Sequence, residues 1–340
     1  MLRTDRTAIS TAATAVSLNE VTKVFRQKTR SDTIMGSLKG MLRPTVNTVR
    51  ALDDLSFSVG SGEILAYAGA NGAGKSTTIK IISGLLSPDS GKVSGLSMDP
   101  VRNRVAYMQR TGVLFGQRTE LWWDQPISTS FEWKKVVWNI KDESYRRMKT
   151  ELVDLLDMGS FLNTHARELS LGQRMRADLA MAILHEPDLL LLDEPTIGMD
   201  VLAKRQIIGF LKDMNKKRRM TIIVTSHDMD DLMEIAGRII LLDKGKITYD
   251  GGFERLRGLI GGQRTLILTT TSKTPLELDG AIYEKSEENR HWYKIDAERN
   301  PIASVLQRVP AAELIDVESL RPPFDEQIAE LYRTDFGAVR

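Results

Sequence analysis

Nine consecutive residues, GANGAGKST at 69–77, set glycines, a lysine and two hydroxyls at the spacing GxxxxGK(S/T). Residue types in that order make a cradle for polyphosphate. Gly69, Gly72 and Gly74 let the backbone curl until its amides, with those of Asn71 and Ala73 among them, point inward, and Lys75 reaches the β- and γ-phosphates. The N-terminus of a following helix adds a favourable field. Ser76 is then placed to ligate Mg²⁺, with Thr77 beside it. A second run, DLLLLDEP at 188–195, delivers Asp193 and Glu194 to the carboxyl end of a buried strand, where doubly wound α/β proteins place ligands. Asp193 suits Mg²⁺ through a water. Glu194 suits a general base that orients or deprotonates water in line with a γ-phosphate.

That chemistry needs a strand before the glycine loop and a helix after it. The segment 51–69 reads as strand, turn, strand, and Ile79, Ile82 and Leu85 follow Lys75 at helical spacing until Gly84, Pro88 and Gly91 close the helix. Upstream, VSLNEVTKVF at 16–25 alternates as an edge strand does. Two helices are expected over 127–158, the second starting near Asp142 with Tyr145, Met148, Leu152 and Leu155 on one face. A third follows Gly172 and aligns Met175, Leu179 and Ile183. Apolar runs at 189–192, 222–225 and 239–242, with a helical stretch around 201–215 between the first two, predict a parallel buried sheet. After Gly251-Gly252 the pattern shifts to short strands at 264–271, 280–285, 291–295 and 312–318, with short helices near 301–308 and 323–332.

The chain has 340 residues, 41% hydrophobic and 27% charged, an ordinary globular composition that excludes wholesale disorder and collagen-like structure. It has no cysteine, which excludes a disulfide scaffold, thiolate metal sites and a cysteine nucleophile. Its apolar runs are strand-sized, so no bilayer span is predicted, and the N-terminal MLRTDRTAISTAATAVSL fits a signal peptide poorly. Cytoplasmic residence is expected. A net charge of +2 does not argue for nucleic acid. Charge is uneven, however: residues 1–50 carry nine Lys or Arg against three acids. Six of those cations fall at 26–50, read as a basic inserted loop or short helix. Such an insert is either a solvated loop or a segment beneath anionic headgroups, where each charge adds about 1 kcal/mol.

Three more pieces follow the same order: ELSLGQR at 168–174, TIGMD at 196–200 and VTSHD at 224–228. With GANGAGKST and LLLLDEP they make residues 16–250 resemble the ATP-binding subunit of ABC transporters. The resemblance implies an α/β P-loop NTPase cassette, a RecA-like core sheet plus a helical subdomain at about 118–180. A tail at 1–15 precedes it, the basic insert at 26–50 lies within it, and a small C-terminal α+β domain at 255–340 serves dimer contacts or regulation. It implies ATP hydrolysis with ATP and Mg²⁺. In that family the signature loop, here Ser170, Leu171, Gly172 and Gln173, opens a helix that faces the γ-phosphate held by a second cassette subunit. Two ATP molecules are sandwiched in a homodimer or heterodimer, and Asp200 lies in the loop coupling the two sites. His227 resembles the switch histidine, and His165 has no catalytic role. Gln117, 42 residues after Lys75, resembles the glutamine linking the metal site to the transport machinery, with Gln109 as the alternative. Phe25 is either the aromatic that stacks on adenine or a core residue. The implied partner is an integral membrane permease, holding the chain peripherally at the cytoplasmic face of the membrane; no nucleic acid is expected. The sequence departs from the family pattern at Ala70, where Pro is common, and at Leu171, where Gly is commonest.

The segment GQRTELWWDQP at 116–126, with LSLGQR and TIGMD, is similar to a prokaryotic branch of exporter ATPases that includes those of drug and polysaccharide exporters. That likeness implies export. Trp122 and Trp123 are expected either to line the groove that receives the membrane subunit or to fill the subdomain core. Two other functions compete. A soluble cassette ATPase that remodels a ribosome or DNA complex usually carries two cassettes or long coiled coils, and this chain has one cassette and no heptad run. A polysaccharide-export ATPase would bind cargo on the C-terminal domain, with His291, Trp292 and Tyr293 as candidates.

Overall fold

Four leucines at 189–192 offer no polar face, so they fold only where both sides of a strand are covered. All four are fully buried. The computed structural model that places them describes residues 13–28, 46–116, 118–226, 228–260, 263–297, 299–310 and 312–320. Its contacts divide into two units, with the boundary between Asp250 and Gly251.

The first unit holds two sheets. In the smaller, β1 (Thr14–Lys28) lies between β2 (Val46–Gly60) and β4 (Ser90–Gly95), antiparallel to both. β1 is therefore central within this sheet, not an edge. Its alternation was legible, but β4, SGKVSG, has too weak an apolar pattern to announce itself as the second neighbour. The β1–β2 ladder runs out to Lys28 opposite Val46. Both ends of the insert expected at 26–50 are thus strand, and the remainder, 29–45, lies outside the described residues. The tail expected at 1–15 likewise gives way to strand at Thr14, because Ala15 and Val16 are buried.

The larger sheet has the order β5-β6-β7-β3-β8-β9. Its members are β3 (Ile64–Gly69), β5 (Thr111–Phe115), β6 (Leu189–Asp193), β7 (Thr221–Thr225), β8 (Arg238–Asp243) and β9 (Lys246–Gly252). The pairs β5/β6, β6/β7, β7/β3 and β3/β8 are parallel. Parallel strands bring their carboxyl ends to one edge, so Gly69, Phe115, Asp193 and Thr225 are neighbours there. The helices are α1 (Lys75–Ile82), α2 (Arg104–Met108), α3 (Ile127–Val137), α4 (Asp142–Leu155), α5 (Leu171–Ile183), α6 (Val201–Arg218) and α7 (Met229–Ile235). One face of α1 closes a core with Leu52, Leu65, Tyr67, Leu189 and Ile240.

The second unit contains α8 (Phe253–Ile260) and α9 (Ile302–Leu306). Its antiparallel sheet β11-β12-β10-β13 is built from β10 (Gln263–Thr270), β11 (Ala281–Glu287), β12 (Arg290–Asp296) and β13 (Leu314–Leu320). Alternation on β10 and β12 turns Leu266, Leu268, Tyr293 and Ile295 into a core with Leu278, Val305 and Val309. The helix expected at 323–332 lies outside the described residues. Among the described residues no helix is long and apolar enough to cross a membrane.

Candidate ATP site

The glycine loop joins β3 to α1 in the order the chemistry requires. Gly74 cannot be replaced by a larger residue: its φ is 113°, and an added Cβ would lie 2.6 Å from the Ala51 carbonyl oxygen and 2.7 Å from Leu52 Cδ2. The next residue, Lys75, is buried, and its Nζ donates to the carbonyls of Gly69 at 2.6 Å and Ala70 at 3.3 Å. Burial lowers its pKa against the opposing pull of Glu194 and Asp193. The ammonium is thus held at the loop it must serve.

Beside it opens a pocket of about 470 Å³ lined by Ser76, Lys80, Leu85, Phe115, Gly116, Arg118, Asp193 and Glu194. Thr225, at the end of β7, organises the two acids. Its hydroxyl donates to Asp193 Oδ1 at 2.7 Å and accepts from the Glu194 amide at 3.1 Å. That amide also donates to the Thr225 carbonyl at 3.1 Å, while the chain turns through a left-handed φ of 59° at Glu194. Gly116 closes the other side by donating its N–H to the Asp193 carbonyl at 2.8 Å. Ser76, Asp193 and Glu194 are hard oxygen donors of the kind Mg²⁺ prefers. Among the described residues no cluster of three or more His, Cys, Asp or Glu surrounds a metal position. This sparse set fits an ion that keeps water and phosphate oxygens as its other ligands.

A groove of about 690 Å³ is lined by Lys23, Val24, Phe25, Arg26, Thr48, Arg50, Leu86 and Asp89. Phe25 is 37% exposed there, so it is no core residue. Asp89 steadies it: Oδ2 accepts from the Val24 amide at 2.7 Å and Oδ1 from Lys23 Nζ at 2.9 Å.

The loop at 170–173 starts α5 with a reciprocal cap. Ser170 Oγ accepts from the Gln173 amide at 3.2 Å, and Gln173 Oε1 accepts from the Ser170 amide at 2.9 Å. Leu171 packs beside the loop at 196–200, since a Cβ on Gly198 would come within 2.6 Å of Leu171 Cδ2. Asp200 caps α6 by accepting from the Ala203 amide at 2.9 Å. A smaller pocket of about 170 Å³, lined by Glu194, Thr196, Ile197, Gly198, Lys204, Ser226 and Asp228, shares Glu194 with the first.

A family model described as ABC transporter matches residues 52–197. The energy-coupling factor transporter ATP-binding protein EcfA2 of Clostridium tetani is 32% identical over 207 residues, covering 59% of this chain and 72% of that one. The chain belongs to the ATP-binding subunits of ABC transporters. Similarity extends to the methionine import ATP-binding protein MetN of Brucella abortus, 35% identical over 211 residues, with 59% of this chain and 55% of that protein covered. Among solved structures, the ATP-binding cassette MJ0796, in a dimeric post-hydrolysis state bound to ADP and Pi, matches in fold. The TM-score is 0.58 at 24% identity, covering 70% of this chain and 98% of that chain. Like its family, this cassette binds ATP and is an ATPase.

Within the cassette, the structure brings Ser76, Asp193 and Glu194 together in one pocket, with Lys75 adjoining. Ser170, Gly172, Gln173 and Asp200 do not line it. Gln117 and His227 lie outside the described residues, although their neighbours Gly116, Arg118, Ser226 and Asp228 line the two pockets. Gln109 is exposed just before β5, at the opposite end of that strand from Asp193, and cannot serve in its place. Trp122 and Trp123 are 42% and 50% exposed, which removes the subdomain-core alternative for both. Residues missed by sequence reasoning are Thr225, Arg118 and Asp178. Thr225 had a signal, its place at the end of the second apolar run; Asp178 had none.

Proposed function

We propose that this ATPase subunit works as an ATP-sandwiched dimer, with itself or a homologous cassette, and drives an integral membrane permease. The observation that carries the chemistry is the convergence of Ser76, Asp193 and Glu194 on one pocket beside Lys75. Lys75 and the amides of Gly69, Asn71, Gly72, Ala73, Gly74 and Thr77 bind the phosphates. Ser76, Asp193 and Gln117 would hold Mg²⁺, which when bound neutralises charge on the β- and γ-phosphate oxygens. Thr225 keeps Asp193 turned toward that task. Glu194 orients the attacking water and takes its proton, assisted by His227. Phe25 stacks on the adenine. Ser170, Gly172 and Gln173 act on the ATP of the second subunit, and the reciprocal cap pre-sets Ser170 and Gln173 before they meet it. Asp200 couples the two sites.

A permease partner is supported by the family and by the exposed Trp122 and Trp123, since aromatic side chains anchor protein interfaces. Association at the cytoplasmic face of the membrane follows from such a partner. Transport direction is a separate matter. The LWWD segment favours export, whereas relatives such as MetN are named for import. Capture of tagged Glu194→Gln protein with ATP·Mg²⁺ from detergent-solubilised native membranes tests the reading. Recovery of a polytopic membrane protein supports it; recovery of ribosomal or DNA-associated proteins alone replaces it with a soluble remodelling ATPase.

A further inference from the structure

Asp178 is an anomaly in the cassette. It sits in the middle of α5 with 7% exposure, and among the described residues it has no ion-pair partner. Burying a carboxylate without a cation costs stability. What the chain gains is position. Asp178 Oδ1 accepts from the Thr119 hydroxyl at 2.8 Å and from the Glu120 amide at 3.1 Å. Those two residues directly follow Arg118, which lines the phosphate pocket with Gly116. Glu120 is gripped a second time through its side chain, which accepts from Lys134 Nζ at 2.7 Å. Lys134, on α3, is only 2% exposed, and its Nζ also lies 4.2 Å from the Trp138 ring centroid. The strip that walls the nucleotide pocket is therefore clamped from α5 and from α3 within two residues of leaving it.

We propose that Asp178 is a positioning residue that, through Thr119 and Glu120, ties the pocket-lining Arg118 mechanically to α5, whose first turn carries Leu171, Gly172 and Gln173. The proposal rests on the ATPase reading above. Nucleotide pressing on the wall then sets the position of the same chain's signature turn, the surface offered to the second subunit. Removing the acceptor leaves the Lys75 loop free to bind ATP and slows only the steps that need the turn in place.

The test compares the full chain with Asp178→Leu, Asp178→Asn and Thr119→Val, measuring MANT-ATP affinity by fluorescence and steady-state kcat and KM for ATP. Asp178→Leu should lower kcat about tenfold with MANT-ATP affinity within about twofold, and Thr119→Val about threefold. Asp178→Asn should stay within about twofold of the parent, because an amide oxygen accepts the same two bonds. An unchanged kcat in folded Asp178→Leu overturns the proposal. So does an Asp178→Asn as impaired as Asp178→Leu, which would make charge rather than acceptor geometry the relevant property. If Asp178→Leu fails to fold, Thr119→Val decides, and parental kinetics there overturn the proposal. A parent chain that does not bind MANT-ATP removes the ATP reading and this inference with it.

Discussion

The two units of the molecule use their polar side chains in opposite ways. In the first, Lys75, Asp193 and Glu194 gather at the carboxyl edge of a parallel sheet around open space. In the second, His291 is fully buried and its hydrogen bonds close on their own surroundings: Nδ1 with Ser286 Oγ at 2.6 Å, Nε2 with Thr270 Oγ1 at 3.1 Å and the Ser272 carbonyl at 3.2 Å. Tyr293 is used up similarly, its hydroxyl bonded to both the amide and the carbonyl of Leu276 at 2.9 Å. Trp292 falls on the other face of the strand, its ring covered by Lys285 Nζ at 4.5 Å and Arg290 Cζ at 5.4 Å. His291, Trp292 and Tyr293 therefore form no aromatic platform for a sugar. A polar cluster that satisfies itself is structure; one that leaves its groups converging on a pocket is a site.

Substitutions can break this contrast. The largest effect belongs to Lys75→Ala, which should reduce ATP hydrolysis by about a hundredfold or more and weaken ATP binding, read by phosphate release and fluorescent-nucleotide titration. Gly198→Ala comes next. Its φ of 69° strains any residue with a Cβ, and that Cβ would push the Leu171 side chain, whose Cδ2 lies 2.6 Å from it, out of its place beside the loop, so kcat should fall about tenfold. Adding Leu171→Gly should recover part of that loss, and no recovery would sever the packing link between the two loops. His291→Ala should cost about 2–3 kcal/mol in the C-terminal unit, visible as earlier hydrogen exchange on β10 and β12. Its KM for ATP should stay within about twofold of the parent; a larger change would give His291 a part in the nucleotide chemistry.

The smallest expected effect is a pH dependence. Burial pushes the Asp178 carboxyl up to about 6, with Glu120 adding to the rise while the Thr119 and Glu120 hydrogen bonds and Arg174 oppose it. The folded state then holds this proton more tightly than the unfolded state, whose Asp titrates near about 3.9. Stability from this group is present in full below that value and is lost as pH rises toward 6. The melting temperature of Asp178→Asn relative to the parent should therefore climb between pH 4 and pH 6.5. A constant difference would place the carboxylate in a better solvated setting than the structure gives it.

How much was legible depended on distance along the chain. Gly69 to Thr77 and Leu189 to Glu194 announce their chemistry because each pattern is local and its geometry follows from one strand and one turn. The parallel sheet followed from apolar runs alternating with helical spacing. β1 was read as an edge because a strand's neighbours are decided by segments far away, here β2 and β4. Phe25 and the two tryptophans were flagged by type, but only exposure told a surface position from a core one. Asp178 was invisible because its meaning comes from a partner 59 residues away, and in a helix sequence it reads as one more charged position.

The central claim is that Glu194, held at the end of β6 by Thr225, performs the proton chemistry on ATP. Single-turnover hydrolysis of radiolabelled ATP by the parent and by Glu194→Gln, with bound nucleotide identified after rapid filtration, tests it most directly. The account predicts hydrolysis slowed by about a hundredfold or more in the variant, with ATP rather than ADP retained on the protein. Turnover at the parental rate, or retention of ADP, would contradict it.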